Sequence, residues 1–291
     1  MWSAISASVI GTSHEAIGAP CQDACQLLRM RFEQEDLLIA AVADGAGSVP
    51  HSQIGSSEAV QRVVQLVSQG GFTPGSLDAQ QLKGWYQEVL DHLGGVAKRE
   101  ALPLHELACT LLLAIVWRDG AVLGQIGDGA WVVEKDGTFL AGTWPETGEY
   151  ANVTVFLTTE GALDHLQFRR LEGKVSGIAG FTDGIQSLAL DYAQRVPAAR
   201  FFNAVLSPLR DGKDETELIA PLRLLLSSEL ISSRTDDDKT LLIAVWRDAD
   251  TMVEGEKKGF AEAKHVETGS GEAKSGTLKP AEIGRPDGTP Q

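Results

Sequence analysis

The stretch Leu37-Leu38-Ile39-Ala40-Ala41-Val42-Ala43-Asp44-Gly45-Ala46-Gly47 decides the fold. Seven apolar residues run into an aspartate and then a Gly-x-Gly. A run this short and uniformly apolar suits a strand covered on both faces. Asp44 then stands where the strand leaves the core, and the glycines let the chain turn and other groups approach. A carboxylate at the rim of a rigid strand is well placed to ligate a metal, although an Asx-type turn is the plainer alternative.

Working outward, residues 3–10 and 24–32 read as strands. The second pairs with the 37–43 run through the polar turn Glu33-Gln34-Glu35-Asp36. Gly, Ser and Pro mark residues 11–24 as loop, which carries His14, Glu15 and Asp23. Residues 56–67 have helical apolar spacing, with Ser52 or Ser56 as the expected cap and Gly70-Gly71 as the stop. A second helix is expected over about 79–99. From Cys109 the texture becomes an antiparallel meander punctuated by Arg118-Asp119-Gly120 and Lys135-Asp136-Gly137. Strands are also expected at 153–158 and 178–182, helices around 185–195, 198–207 and 214–231, and a last strand at 240–246. The meander argues against a parallel doubly wound sheet.

The chain has 291 residues, 43% of them hydrophobic, and a net charge of −15. That charge argues against nucleic acid or an anionic membrane as partner. No apolar run approaches the ~20 residues of a membrane span, and the N-terminus lacks a basic signal-peptide start, so the expected location is the cytoplasm. Cys21, Cys25 and Cys109 have no disulfide rhythm. Residues 250–291 are polar and Gly-rich, which predicts a disordered tail behind a folded unit over 1–249.

Acids recur at the strand ends. Asp44-Gly45 closes one buried run and Asp183-Gly184 another; Asp236-Asp237-Asp238 opens a third, and Asp23 opens the neighbour of the first. In an antiparallel sheet the start of one strand lies beside the end of the next, so these acids can meet at one edge. Gathered carboxylates repel one another unless protonated or bound to cations. An all-oxygen set favours Mg²⁺ or Mn²⁺ over Zn²⁺.

Gln22-Asp23, Val42-Ala43-Asp44-Gly45-x-Gly47, Cys109-Thr110, Gly127-Asp128-Gly129, Phe181-Thr182-Asp183-Gly184 and Asp237-Asp238-Lys239-Thr240 follow one another in an order and spacing that resembles the metal-dependent protein phosphatases of type 2C. The resemblance covers residues 11 to about 247. It is greatest to the bacterial branch whose N-terminal loop reads Gly-x-Ser-His through Cys-Gln-Asp.

It implies an α+β fold, an α-β-β-α sandwich of two antiparallel sheets flanked by helices, with two Mn²⁺ or Mg²⁺ ions at one edge. It further implies that Asp44 bridges the ions, that the Gly45 carbonyl binds one and Asp183 and Asp237 the other, and that Asp23 holds metal-bound water. The implied activity is hydrolysis of phosphoserine and phosphothreonine in proteins by a metal-bridged hydroxide, with a Ser/Thr kinase as counterpart. Asp128 is expected to be structural, and Asp238 stands where many members have Asn.

Two departures follow from the same resemblance. Many members carry a phosphate-binding Arg where this chain has Gly18, and eukaryotic members a His where it has Ala46. His14, in the same loop as Gly18, is the candidate for phosphate binding or leaving-group protonation. A catalytically weak pseudo-phosphatase and a phosphatase of small molecules are the rival readings.

Overall fold

The computed structural model describes residues 1–32, 34–146 and 154–248. The decisive apolar run lies in β3 (Glu35–Ala43), between β2 (Ala24–Phe32) and β4 (Leu111–Trp117). β5 (Gly120–Ile126) and β8 (Gln167–Glu172) extend that sheet in the order β2-β3-β4-β5-β8, antiparallel throughout. The second sheet has the order β1-β12-β9-β6-β7, from β1 (Trp2–Val9), β6 (Ala130–Lys135), β7 (Thr138–Ala141), β9 (Val175–Phe181) and β12 (Lys239–Trp246). It too is antiparallel, with Trp2 opposite Trp246 and Val9 opposite Lys239.

The uniform hydrophobicity of the central strands follows from the layering. On β3, Leu38, Ala40 and Val42 pack between the sheets, with Leu112 and Ala114 of β4 and Trp131 and Leu242 of the facing sheet. The alternate residues Leu37, Ile39 and Ala41 face outward, against α2 (Ser52–Gln69) and α3 (Ala79–Glu100), through Val60, Val63, Val67, Tyr86 and Leu93. The second sheet repeats this. Leu241, Ile243 and Val245 of β12 meet Phe202 and Leu206 of α5 (Ala199–Arg210) and Leu218 and Leu222 of α6 (Glu215–Leu226). A strand with apolar layers on both sides has no polar face to show. Edge strand β1 is blunted by Glu215, whose Oε1 accepts from the Ala4 amide (3.1 Å), Ser3 Oγ (2.9 Å) and Arg29 Nη1 (2.6 Å).

The structure corrects several local expectations. Residues 12–17, read as loop, form the short helix α1 (Thr12–Ile17). α2 begins at Ser52 after His51, and neither expected serine caps it. Residues 154–158 form no strand: Leu157 donates one amide bond to the Cys109 carbonyl (2.7 Å), without a ladder. β8, which shows an exposed edge face rich in Arg and Glu, carries no apolar signal and was not expected from the sequence. The helix expected at 185–195 is only α4 (Gln186–Ala189), followed by the two-residue strands β10 (Leu190–Asp191) and β11 (Val196–Pro197). The long helix at 214–231 breaks into α6 and α7 (Glu229–Ser232) at Ser227-Ser228. No described helix is long and apolar enough to cross a membrane, and all three cysteines are free. The polar tail expected over 250–291, and residue 249 before it, lie outside the described residues.

Candidate metal centre

Both sheets send chain ends to one edge. Asp44 follows β3 and is tied to the approach of β4: its amide donates to Thr110 Oγ1 (2.9 Å), and its carbonyl accepts from the Thr110 amide (2.8 Å). Gly45 then sits opposite Cys109 in an isolated antiparallel bridge, while Ala46 donates to the Ala108 carbonyl. The bonds flank Gly45, so its own carbonyl points away from Cys109. Asp23 precedes β2, Asp183 follows β9, Asp237 precedes β12, and Asp128 lies in the turn between β5 and β6.

Thr182 couples the two sheets. Its hydroxyl donates to Asp23 Oδ2 (2.8 Å) and accepts from the Thr240 amide (3.0 Å). Gly184 passes against the Asp238 carbonyl so closely that a Cβ there would overlap it, which keeps Asp183 beside the start of β12. Asp128 accepts from the Thr154 hydroxyl, and its own carbonyl accepts from Gln186.

These acids face one another. Burial pushes the Asp44 carboxyl well above the usual range, and the charges of Asp23, Asp183, Asp128 and Asp237 push it further. Burial, followed by Asp128 and Asp237, raises Asp183 to about 7. Burial raises Asp23 to about 8, with Asp238 and Asp183 adding to it and bonds from Thr240 and Thr182 working against it. Asp128 is raised as well, chiefly by burial. Asp23, Asp128 and Asp183 each keep a buried Oδ1 without a hydrogen-bond partner. Among the described residues, no Lys or Arg side chain forms an ion pair with any of the five acids.

Five facing carboxylates, three with a buried oxygen that has no partner and none ion-paired to a Lys or Arg among the described residues, suit hard divalent cations that take oxygen ligands; the buried Lys239 ammonium is bound to the Asp237 backbone carbonyl instead (3.1 Å). The structure thus brings Asp23, Asp44, Asp183 and Asp237 together, as the sequence predicts. It adds Asp128, expected to be structural, as a fifth face of the cluster. The motif threonines Thr110, Thr182 and Thr240 were in view in the sequence, but only the contacts give them a role.

His14 takes a place at the rim. It projects from α1 and is 6% exposed, and its Nδ1 lies 3.0 Å from Asp238 Oδ1. Ligating atoms of His14, Asp237 and Asp238 all lie within 4.8 Å of one another. Asp238 is not a free ligand: Oδ1 accepts from the Gly11 amide (2.6 Å) and Oδ2 from the Gln22 amide (2.5 Å).

Comparison with known proteins agrees with this architecture. Residues 10–223 match the family profile described as Protein phosphatase 2C. Serine/threonine-protein phosphatase 3 of Escherichia coli K12 is 37% identical over 251 residues, covering 84% of this chain and 98% of that protein. The fold is similar to that of serine/threonine phosphatase Stp1 from Staphylococcus aureus, with a TM-score of 0.58 at 14% identity over 85% of this chain and 96% of that one. It is also similar to PppA of Pseudomonas aeruginosa, with a TM-score of 0.55 at 17% identity over 84% and 97% of the two chains. With the profile spanning most of the folded sequence and one relative matched almost end to end, the chain belongs to the protein phosphatase 2C family.

Proposed function

We propose that this protein is a metal-dependent phosphatase that removes phosphate from serine and threonine residues of proteins, using the carboxylate cluster at the sheet edge. The observation that carries the reading is the meeting of Asp44, Asp183, Asp128, Asp23 and Asp237 without a basic partner. Such a cluster is costly to a fold that has no use for cations, which disfavours a binding-only pseudo-phosphatase.

The site would hold two Mn²⁺ or Mg²⁺ ions, with Asp44, the Gly45 carbonyl, Asp183 and Asp237 as the ligands and Asp23 placed to bind water beside them. Bound there, divalent ions lower the pKa of water and neutralise charge on phosphoryl oxygens. The chain's own residues do the rest. Thr110 holds the Asp44 backbone, and Thr182, from the facing sheet, holds the Asp23 carboxylate. His14 donates to the oxygen that leaves phosphorus, the role left open by Ala46; with Gly18 in place of Arg, bound divalent ions would supply the positive charge for phosphate. The counterpart is a Ser/Thr kinase in the same compartment, the cytoplasm, and the phosphatase unit ends near residue 249.

The test is phosphate release from a phosphothreonine peptide in millimolar Mn²⁺ or Mg²⁺, with and without EDTA. Release that needs the ion supports the reading; a protein inert toward every phosphopeptide overturns it.

A further inference from the structure

The hairpin of β10 and β11 closes beside the carboxylate cluster. Tyr192, at its tip, is 50% exposed. Its hydroxyl donates to Gln186 Oε1, and the Gln186 amide nitrogen donates in turn to the Asp128 carbonyl. Burial raises the Tyr192 hydroxyl above its usual range, and the charges of Asp128 and Asp183 raise it further, so the tip lies in the field of the cluster. The Tyr192 ring packs edge-on against Trp144, with centroids 5.5 Å apart and planes at 72°. Trp144 is pinned to the sheet of β5 and β8: its carbonyl accepts from Gln125 (3.3 Å) and Gln167 (2.8 Å). Hairpin and sheet together build an aromatic ledge that starts at Asp128.

Arg195 lies on this ledge. Its guanidinium carbon is 5.6 Å from the centre of the Trp144 ring. A guanidinium laid over a ring keeps its N–H edge free for a planar anion. Among the described residues no carboxylate forms an ion pair with Arg195, although the chain carries a net charge of −15. The backbone adds an independent observation. Arg195 has φ 58°, in the left-handed region where a hairpin tip is better served by Gly or Asn. The turn is braced by the Gln194 amide, which donates to Asp191 Oδ1 (2.9 Å). Strain carried by a long cationic side chain at the rim of a site is what a ligand contact accounts for.

We propose that Arg195, carried on the ledge of Trp144 and Tyr192, selects substrates by taking an anionic side chain, carboxylate or second phosphate, near the phosphorylated serine or threonine. This rests on the phosphatase reading above and narrows its substrate class to acidic phosphopeptides. A peptide that brings its phosphate to the cluster spreads its neighbouring residues over the rim. There the fork of Arg195 can take a carboxylate or a phosphate through two parallel hydrogen bonds. The charge of the whole chain would favour basic peptides, so a preference for acidic ones is the mark of this local cation.

The test uses phosphothreonine peptides in millimolar Mn²⁺, with Asp, phosphoserine, Ala or Lys placed in turn at each of the four positions on either side, followed by loss of the threonine phosphate. At the best-placed position the wild type should show a KM about 10-fold lower for an anionic residue than for Ala, the worth of one charge-assisted pair. An advantage shared by Asp and phosphoserine assigns the contact to either anion; one confined to phosphoserine assigns it to a second phosphate. Arg195→Glu should invert the preference toward Lys. Arg195→Gly, which also relieves the backbone, should abolish the preference with Tm unchanged or higher, which separates the contact from folding.

A wild type that does not prefer anionic neighbours overturns the proposal, as does an Arg195→Glu variant that keeps the preference or loses equally on every peptide. A wild type without turnover on any phosphopeptide would overturn the phosphatase reading instead. Fluorescence anisotropy of the labelled acidic phosphopeptide in Mn²⁺ then still decides the ledge: binding about 10-fold tighter to the wild type than to Arg195→Glu supports it, and equal binding overturns it.

Discussion

Thr182 and Asp23 lie 159 positions apart in the chain and on different sheets, yet the hydroxyl of one donates to the carboxylate of the other at 2.8 Å. Through this bond the sheet that carries Asp183 sets the position of an acid from the sheet that carries Asp44. The same oxygen takes the Thr240 amide, so it serves as donor and acceptor at once.

Thr182→Val keeps the shape and removes both bonds. It is expected to destabilise the protein by ~1–3 kcal/mol, the cost of stranding a buried polar group. Loss of a bond that favours the charged carboxylate also weakens cation binding at Asp23. Denaturant midpoints and a Mn²⁺ titration check this; unchanged values for both would contradict the role given to Thr182.

The metal-free protein should lose stability as pH rises. Folded Asp23 and Asp183 titrate near 8 and 7, and Asp44 and Asp128 are also raised, whereas unfolded aspartate titrates near ~3.9. Between about pH 4 and 8 the folded state thus binds more protons than the unfolded one, so stability contributed by these groups is greatest at the acid end and is lost as pH climbs through the folded values. Melting in EDTA from pH 5 to 8.5 should show Tm falling, with a shallower fall in Asp23→Asn. A metal-free Tm that rises across this range and does not respond to Asp23→Asn would contradict the mutual burial of the acids.

Removing residues 254–291 should leave melting and turnover largely unchanged, because that stretch offers almost no large apolar residues to a core. A marked drop in Tm on truncation would contradict the proposed boundary near 249.

What could be read from the sequence was whatever the chain encodes locally. The run 37–43 announces a strand between two apolar layers because both of its faces are filled. Asp44 and Asp183 stand out because each follows such a run directly. Edge strand β8 stays hidden because half its residues face solvent. α1 stays hidden because six residues are too few for a helical signal, and it is held from outside by the Asp236 carbonyl and the Asp238 carboxylate. Asp128 looks structural in isolation, since nothing near it in sequence reveals that Asp44 and Asp183 face it. The hold of Asp238 on Gly11 and Gln22 spans more than 200 residues, and no local pattern records it.

The most direct test of the metal centre is the thermal shift produced by Mn²⁺, measured beside turnover, for wild type and Asp44→Asn. Asp44 carries the field of four other acids, so neutralising it should leave metal-free stability unchanged or higher. Binding to the folded state alone stabilises by mass action, so millimolar Mn²⁺ should raise the wild-type Tm, raise that of Asp44→Asn much less, and support hydrolysis of a phosphothreonine peptide only in the wild type. A wild type indifferent to Mn²⁺ and Mg²⁺, or an Asp44→Asn variant with full activity, would contradict the account.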